Sequence, residues 1–118
     1  MTIFDLLKSP AYPQKPILEK LVCHRLSFTK EQLFVHMDER VSETDVVWIM
    51  DAYSRYTIGK EPVEYILGYV QFAGLQFFVT PETIIPRPET EYMIEAVREF
   101  FASPKKSAND VILLDIGT

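Results

Sequence analysis

Two short stretches carry the residue types from which chemistry could be built. The first is Pro86-Arg87-Pro88-Glu89-Thr90-Glu91, a fixed cation between two prolines followed by two carboxylates. Pro88 biases Arg87 toward extended backbone and itself suits the first position of a helix. Glu89 and Glu91 then fall in the first turn, where the helix dipole favours acids. A helix start alone accounts for that pattern, except that Arg87 stands where a capping Ser, Thr or Asp belongs, so a local stability rule is broken there. The second stretch is Asp115-Ile116-Gly117-Thr118, at the end of the apolar run Val111-Ile112-Leu113-Leu114. A glycine just after a buried strand lets backbone approach a bound molecule closely, although many α/β proteins end a strand with Asp and Gly.

The other reactive side chains suggest structure rather than chemistry. His24 and His36 lie on separate expected helices without a nearby ligand set, and Cys23 sits inside an apolar helical pattern. One cysteine supports neither a disulfide framework nor a zinc cluster, and a cytosolic, reducing compartment is its natural reading. The net charge of −5 argues against nucleic acid or an anionic membrane as the main partner, because phosphate backbones call for clustered Lys and Arg. No apolar run approaches the roughly 20 residues that span a bilayer, and the start of the chain lacks the basic and apolar regions of a signal peptide.

The elements that must position these stretches follow from periodicity and punctuation. Ile3, Leu6 and Leu7 share a helical face before Ser9-Pro10, and Pro13 and Pro16 mark a turn. Ile17, Leu18, Leu21, Val22 and Leu26 follow helical spacing. Thr29 and Gln32 form a capping box that opens a short helix through Leu33, Phe34 and Met37. Ser42, with Asp45 three residues on, caps a helix carrying Val46, Val47, Ile49, Met50, Tyr53 and Tyr56. Trp48, Tyr53 and Tyr56 are expected in the core. Gly59 suits the left-handed position that ends a helix, and Pro62 the first turn of the next. Residues 1–67 therefore read as a small helical bundle. Gly68 to Val79, aromatic and β-branched on both sides of Ala73-Gly74, reads as a β-hairpin. Residues 80–87 form an extended connection. A helix follows from Pro88 to Ala102, with Met93, Ile94, Val97, Phe100 and Phe101 on one stripe. After a polar loop at 103–110, residues 111–118 have the continuous apolar character of a strand buried on both faces of a parallel sheet. Such a strand needs neighbours on both sides, so an artificial boundary near Thr118 is expected.

Taken in order and spacing, Lys60-Glu61-Pro62-Val63-Glu64-Tyr65-Ile66-Leu67-Gly68, Phe72, Phe77-Phe78-Val79, Ile84-Ile85-Pro86-Arg87-Pro88-Glu89-Thr90-Glu91 and Leu114-Asp115-Ile116-Gly117-Thr118 closely resemble the release-factor glutamine methyltransferases of the HemK/PrmC type. The resemblance is specific over residues 60–118; residues 1–59 agree in helical layout and length. It implies a mainly α chain of three parts: a substrate-recruiting helical domain at 1–67, a hairpin and linker at 68–87, and at 88–118 the first helix and strand of a truncated Rossmann-like α/β methyltransferase domain.

The resemblance also implies the chemistry. The parent enzyme would use S-adenosyl-L-methionine to methylate N5 of the glutamine in the Gly-Gly-Gln loop of class 1 peptide-chain release factors, in the cytoplasm and without direct nucleic-acid or membrane contact. Arg87 and Pro88 would help wall the cofactor pocket, and Asp115, Gly117 and Thr118 would begin its floor. The family's reaction centre, an Asn-Pro-Pro-Tyr segment, does not occur in this sequence. No catalytic residue is therefore expected here, and the chain alone is expected to be inactive. A monomer is expected, apart from pairing through the unpartnered strand. A relative that methylates a ribosomal protein, or a non-enzymatic helical adaptor, are the alternatives.

Overall fold

A computed structural model of the chain describes residues 1–102 and 112–116. Five helices come first: α1 (Ile3–Lys8), α2 (Lys15–Leu26), α3 (Lys30–Val35), α4 (Glu43–Thr57) and α5 (Val63–Leu67). A hairpin of β1 (Tyr69–Phe72) and β2 (Leu75–Phe78) follows, then a single 3₁₀ turn at Pro88–Thr90 that leads into α6 (Glu91–Ala102).

Short helices need their ends satisfied, and side-chain caps do this three times. The Thr29 hydroxyl accepts from the Gln32 N–H at 3.2 Å while the Gln32 side chain accepts from the Thr29 N–H at 2.8 Å, the reciprocal box expected at α3. Ser42 accepts from the Asp45 N–H at 3.1 Å and opens α4. Thr2 and Asp5 form a second reciprocal box at α1, which the sequence reading did not single out. The first residues are also tied across the bundle, with the Ile3 N–H donating to the Glu39 carbonyl at 3.0 Å and the Phe4 N–H to that of Met37 at 2.9 Å.

Caps define where the helices start, and apolar burial holds them together. Ile3, Leu6, Leu18, Leu21, Val22, Leu33 and Ile49 are all but inaccessible to solvent and join α1 through α4 in one core, which Val63, Ile66 and Leu67 of α5 extend. On α4 the inward face is Ile49, Ala52 and Tyr53, with Val46, Trp48 and Tyr56 half-buried, whereas Val47 and Met50 point outward. Positions 46, 49, 53 and 56 follow the three-and-four spacing of one helical face, and 47 and 50 fall beside it.

Two sequence expectations are corrected at element ends. Gly59 does not take the left-handed conformation after α4; Lys60 does, with φ +56°. The reason for glycine is steric: a Cβ at Gly59 would stand 2.7 Å from the Arg55 carbonyl oxygen. Arg55 then closes the turn through two hydrogen bonds to Glu61, at 2.8 and 2.7 Å. The second correction concerns the apolar run near Thr118. Residues 112–116 form no strand, and their apolar side chains are exposed. A strand needs a partner for its backbone N–H and C=O groups, and among the described residues the sheet consists of β1 and β2 alone. The Rossmann-like part is thus not formed in the described structure. Val111, Gly117, Thr118 and the 103–110 loop lie outside the described residues.

The hairpin forms as expected, with Tyr69 opposite Phe78 and Phe72 opposite Leu75. Ala73 and Gly74 both have positive φ, +49° and +76°, as a two-residue type I′ turn requires. The side chains of β2 are exposed along its whole length, and α6 buries none of its residues. Among the described residues, no helix is long and apolar enough to cross a membrane.

Candidate functional site

The Arg87 stretch is reached by a pinned connection. After β2 the Val79 N–H donates to the Gly68 carbonyl at 3.0 Å and buries its side chain. Thr80 and Thr83 then close a small turn. The Thr83 N–H and hydroxyl both donate to the Thr80 carbonyl at 2.9 Å, and the Thr80 N–H donates to the Thr83 hydroxyl at 2.8 Å. From α5, the Tyr65 hydroxyl donates to the Thr83 carbonyl at 2.6 Å.

Arg87 has the extended backbone that Pro88 imposes, φ −80° and ψ 139°, and provides no side-chain cap. A guanidinium has no lone pair to offer an N–H. The Arg87 carbonyl instead accepts from the Thr90 N–H at 3.0 Å, so the helix starts as one 3₁₀ turn, and α-helix proper begins at Glu91 rather than at Pro88. Arg87 is exposed, and no carboxylate lies within ion-pairing distance of it among the described residues. Next to it, Pro88, Glu89, Glu91, Tyr92 and Glu95 line an open cleft of about 400 Å³. Glu91 also reaches back to the hairpin, where its carboxylate accepts from the Ala73 N–H at 3.0 Å.

The expected site residues are therefore not brought together. Arg87 and Pro88 stand at the start of α6, Asp115 is exposed on the 112–116 segment, and Gly117 and Thr118 lie outside the described residues. No hydrogen bond or ion pair joins Arg87 to Asp115. Tyr65, Ala73 and Glu91, which hold the Arg87 stretch in place, were not distinguishable as a group in the sequence. Their separations, 18 residues for each tie, leave no local signal.

His24, Cys23 and His36 pack as structural groups. The His24 ring lies between Trp48 and Tyr69, at centroid distances of 5.7 and 5.6 Å, so it links α2 to α4 and to β1. Burial, and then the neighbouring Arg25 charge, hold its pKa below the ordinary imidazole value. Burial, and then Glu19, push the Cys23 thiol up, the opposite of what a nucleophile needs. His36 stacks on Phe28 at 5.0 Å and contacts Glu39 at 2.7 Å. Among the described residues, no group of three or more His, Cys, Asp or Glu side chains could hold a metal ion. Lys20, Cys23, His24, Phe28, Tyr69 and Phe78 contribute to a second open cleft, between α2 and the hairpin, of about 660 Å³.

Residues 13–68, from the turn before α2 through α5, match the family described as the PrmC N-terminal domain. Proteins named release factor glutamine methyltransferase are similar over more of the chain. That of Nitratidesulfovibrio vulgaris is 39% identical over 85 residues, which cover 72% of this chain and 28% of that protein. That of Koribacter versatilis is 36% identical over 100 residues, 85% of this chain and 34% of the relative. That of Chlorobaculum tepidum is 38% identical over 101 residues, again 85% and 34%. The chain thus spans about a third of the length of the curated relatives it matches. With this helical domain and these relatives, the chain belongs to the release factor glutamine methyltransferase (PrmC) family and carries that family's N-terminal domain.

Proposed function

We propose that this chain is the N-terminal portion of a protein-glutamine methyltransferase that uses S-adenosyl-L-methionine to methylate N5 of the Gly-Gly-Gln glutamine of class 1 release factors. The observation that carries the reading is the similarity to proteins of that name over most of the chain, 85% of it in two cases. In this reading residues 1–67 recruit the release factor, residues 68–87 are the hairpin and linker, and residues 88–118 open the catalytic domain. The enzyme works in the cytoplasm.

The described residues do not by themselves enclose the cofactor. Arg87 and Asp115 are both exposed, and the cleft beside Pro88 has Glu89, Glu91 and Glu95 on its walls rather than either of them. No chemical step is therefore assigned to this chain. Its residues bind and orient: the helical domain holds the protein substrate, while Arg87 and Pro88, with Asp115, Gly117 and Thr118, supply one side of a pocket that the longer enzyme completes. Arg87 suits that role because its guanidinium is exposed and unpaired among the described residues, so binding an anionic group there breaks no existing ion pair.

Methyl transfer to a purified release factor, followed with labelled S-adenosyl-L-methionine, tests the proposal. A chain extended to the length of the relatives is expected to label the glutamine, and the 118-residue chain to leave it unlabelled. Removing residues 1–67 from the longer enzyme is expected to lower kcat/KM for intact release factor. Labelling by the 118-residue chain alone, or an unchanged kcat/KM after the deletion, would overturn the assignment of roles.

A further inference from the structure

Residues 84–90, which carry Arg87, gain little from burial: Ile84 is 90% exposed, and the segment contains no buried side chain. Its course is nevertheless defined at both ends by a side-chain hydrogen bond to a distant part of the chain. Ahead of it, the Tyr65 hydroxyl holds the Thr83 carbonyl at 2.6 Å. Tyr65 stands on α5, whose Val63, Ile66 and Leu67 belong to the core. Behind it, Glu91 accepts the Ala73 N–H at 3.0 Å. Ala73 is the first central residue of the type I′ turn, and the ladder of such a hairpin leaves that N–H without a partner. Glu91 fills this vacancy with a charged acceptor, which makes a stronger bond than a neutral one. It also fixes the turn at a residue whose φ of +49° is unusual for a side chain with a Cβ.

We propose that Tyr65 and Glu91 are positioning residues that bracket residues 84–90 and thereby set where the Arg87 guanidinium is presented. Its consequence for activity rests on the reading of Arg87 as part of the cofactor pocket; the bracket itself does not. Both anchors lead back to the helical core, Tyr65 through α5 and Ala73 through β1, whose Tyr69 packs on His24. The bracket therefore transmits the position of the recruiting domain to the start of the catalytic one.

The test uses ¹⁵N-labelled 118-residue chain and needs no substrate. Glu91→Ala is expected to speed exchange of the Ala73 amide about tenfold and to lower the heteronuclear NOE of the 84–90 amides, which reports fast backbone motion. Amides of Leu18 and Ile49 act as the control that the core is folded. Glu91→Gln keeps an acceptor oxygen and is expected to restore both values, and Tyr65→Phe to loosen the segment from its other end. Unchanged NOE values in both Glu91→Ala and Tyr65→Phe would overturn the bracket. In the longer enzyme, Glu91→Ala is expected to raise KM for S-adenosyl-L-methionine more than it lowers kcat, with rescue by Glu91→Gln. A loosened segment with unchanged KM would overturn the positioning role. An inactive wild-type enzyme would instead sink the proposed function and leave the bracket to be decided by the amide measurements.

Discussion

Tyr53 offers the sharpest stability prediction because one of its atoms does a job that can be removed alone. Tyr53 is 6% exposed, and its ring meets that of Tyr12 edge-on at 5.0 Å. Its hydroxyl oxygen accepts the Gln14 N–H at 2.9 Å across 39 residues of sequence. Gln14 is the N-cap of α2 and offers no side-chain cap, so α4 provides through Tyr53 an acceptor that α2 lacks locally. Tyr53→Phe keeps the ring and strands a partly buried N–H, a loss of about 1–1.5 kcal/mol. A domain of this size loses roughly 4–8 °C of Tm per kcal/mol, so the melting midpoint should fall by about 4–12 °C. Tyr53→Ala also removes the ring from the core and should cost about 3–5 kcal/mol, much of the stability available to so small a domain. Urea titrations followed by circular dichroism measure both, with exchange of the Gln14 amide as a local readout. If Tyr53→Phe shifts neither the urea midpoint nor Gln14 exchange, the phenol is not the cap of α2.

Two further predictions concern the turn after α4 and the acid limb of stability. Gly59→Ala places a Cβ 2.7 Å from a backbone oxygen that cannot swing away, so it should destabilise by about 1–3 kcal/mol in urea titration; a neutral result would mean that the turn relaxes freely. His24 has a folded-state pKa below its ordinary 6.5 because of burial and then Arg25. The unfolded chain then binds more protons in the interval beneath 6.5, so stability falls as pH drops through it. Asp45 and Glu61 act lower. Hydrogen bonds, from Ser42 and then Arg25 for Asp45 and from Arg55 for Glu61, depress their pKa, so their contribution is present above the ordinary carboxylate values of 3.8 and 4.5 and is lost as pH falls below them. Thermal midpoints between about pH 7 and pH 5 should therefore decline, and His24→Gln should flatten that decline while leaving the steeper fall below pH 4.5 in place. An unchanged slope between pH 7 and 5 in His24→Gln would refute the role of His24.

What the sequence disclosed depended on the range of the interaction. The caps at Thr29 and Ser42 were legible because each is a contact over three residues between types with one dominant geometry. Thr2 and Asp5 carry the same local signal and could have been read. The hairpin was legible because Ala73-Gly74 interrupts two aromatic runs of matching length. Gly59 was misread because a close approach and a left-handed φ both favour glycine, and the deciding atom, the Arg55 carbonyl, is placed only by the completed helix. Of the site, the departure from capping at Arg87 was visible in sequence and holds in the structure. The ties from Tyr65 and to Glu91 were not, because a hydroxyl or carboxylate reaching across 18 residues leaves no periodicity.

These differences in range divide the chain physically. Among the described residues, the buried apolar ones run from Ile3 to Leu67, and beyond them only Val79 joins the buried set. Leu75, Phe78, Ile84, Tyr92, Met93 and Phe100 are all exposed. Stability therefore resides in α1–α5, where burial does the work and tolerates change only at the cost of whole side chains. The hairpin, the linker and α6 depend instead on a few directional bonds: Val79 to Gly68, Tyr65 to Thr83 and Ala73 to Glu91. Each such bond contributes about 1 kcal/mol, and up to about 3 where one partner is charged. Losing one should move the Arg87 stretch without unfolding the helices. This separation lets the helical domain keep its core while the Arg87 segment is set by contacts that a substitution can alter one at a time.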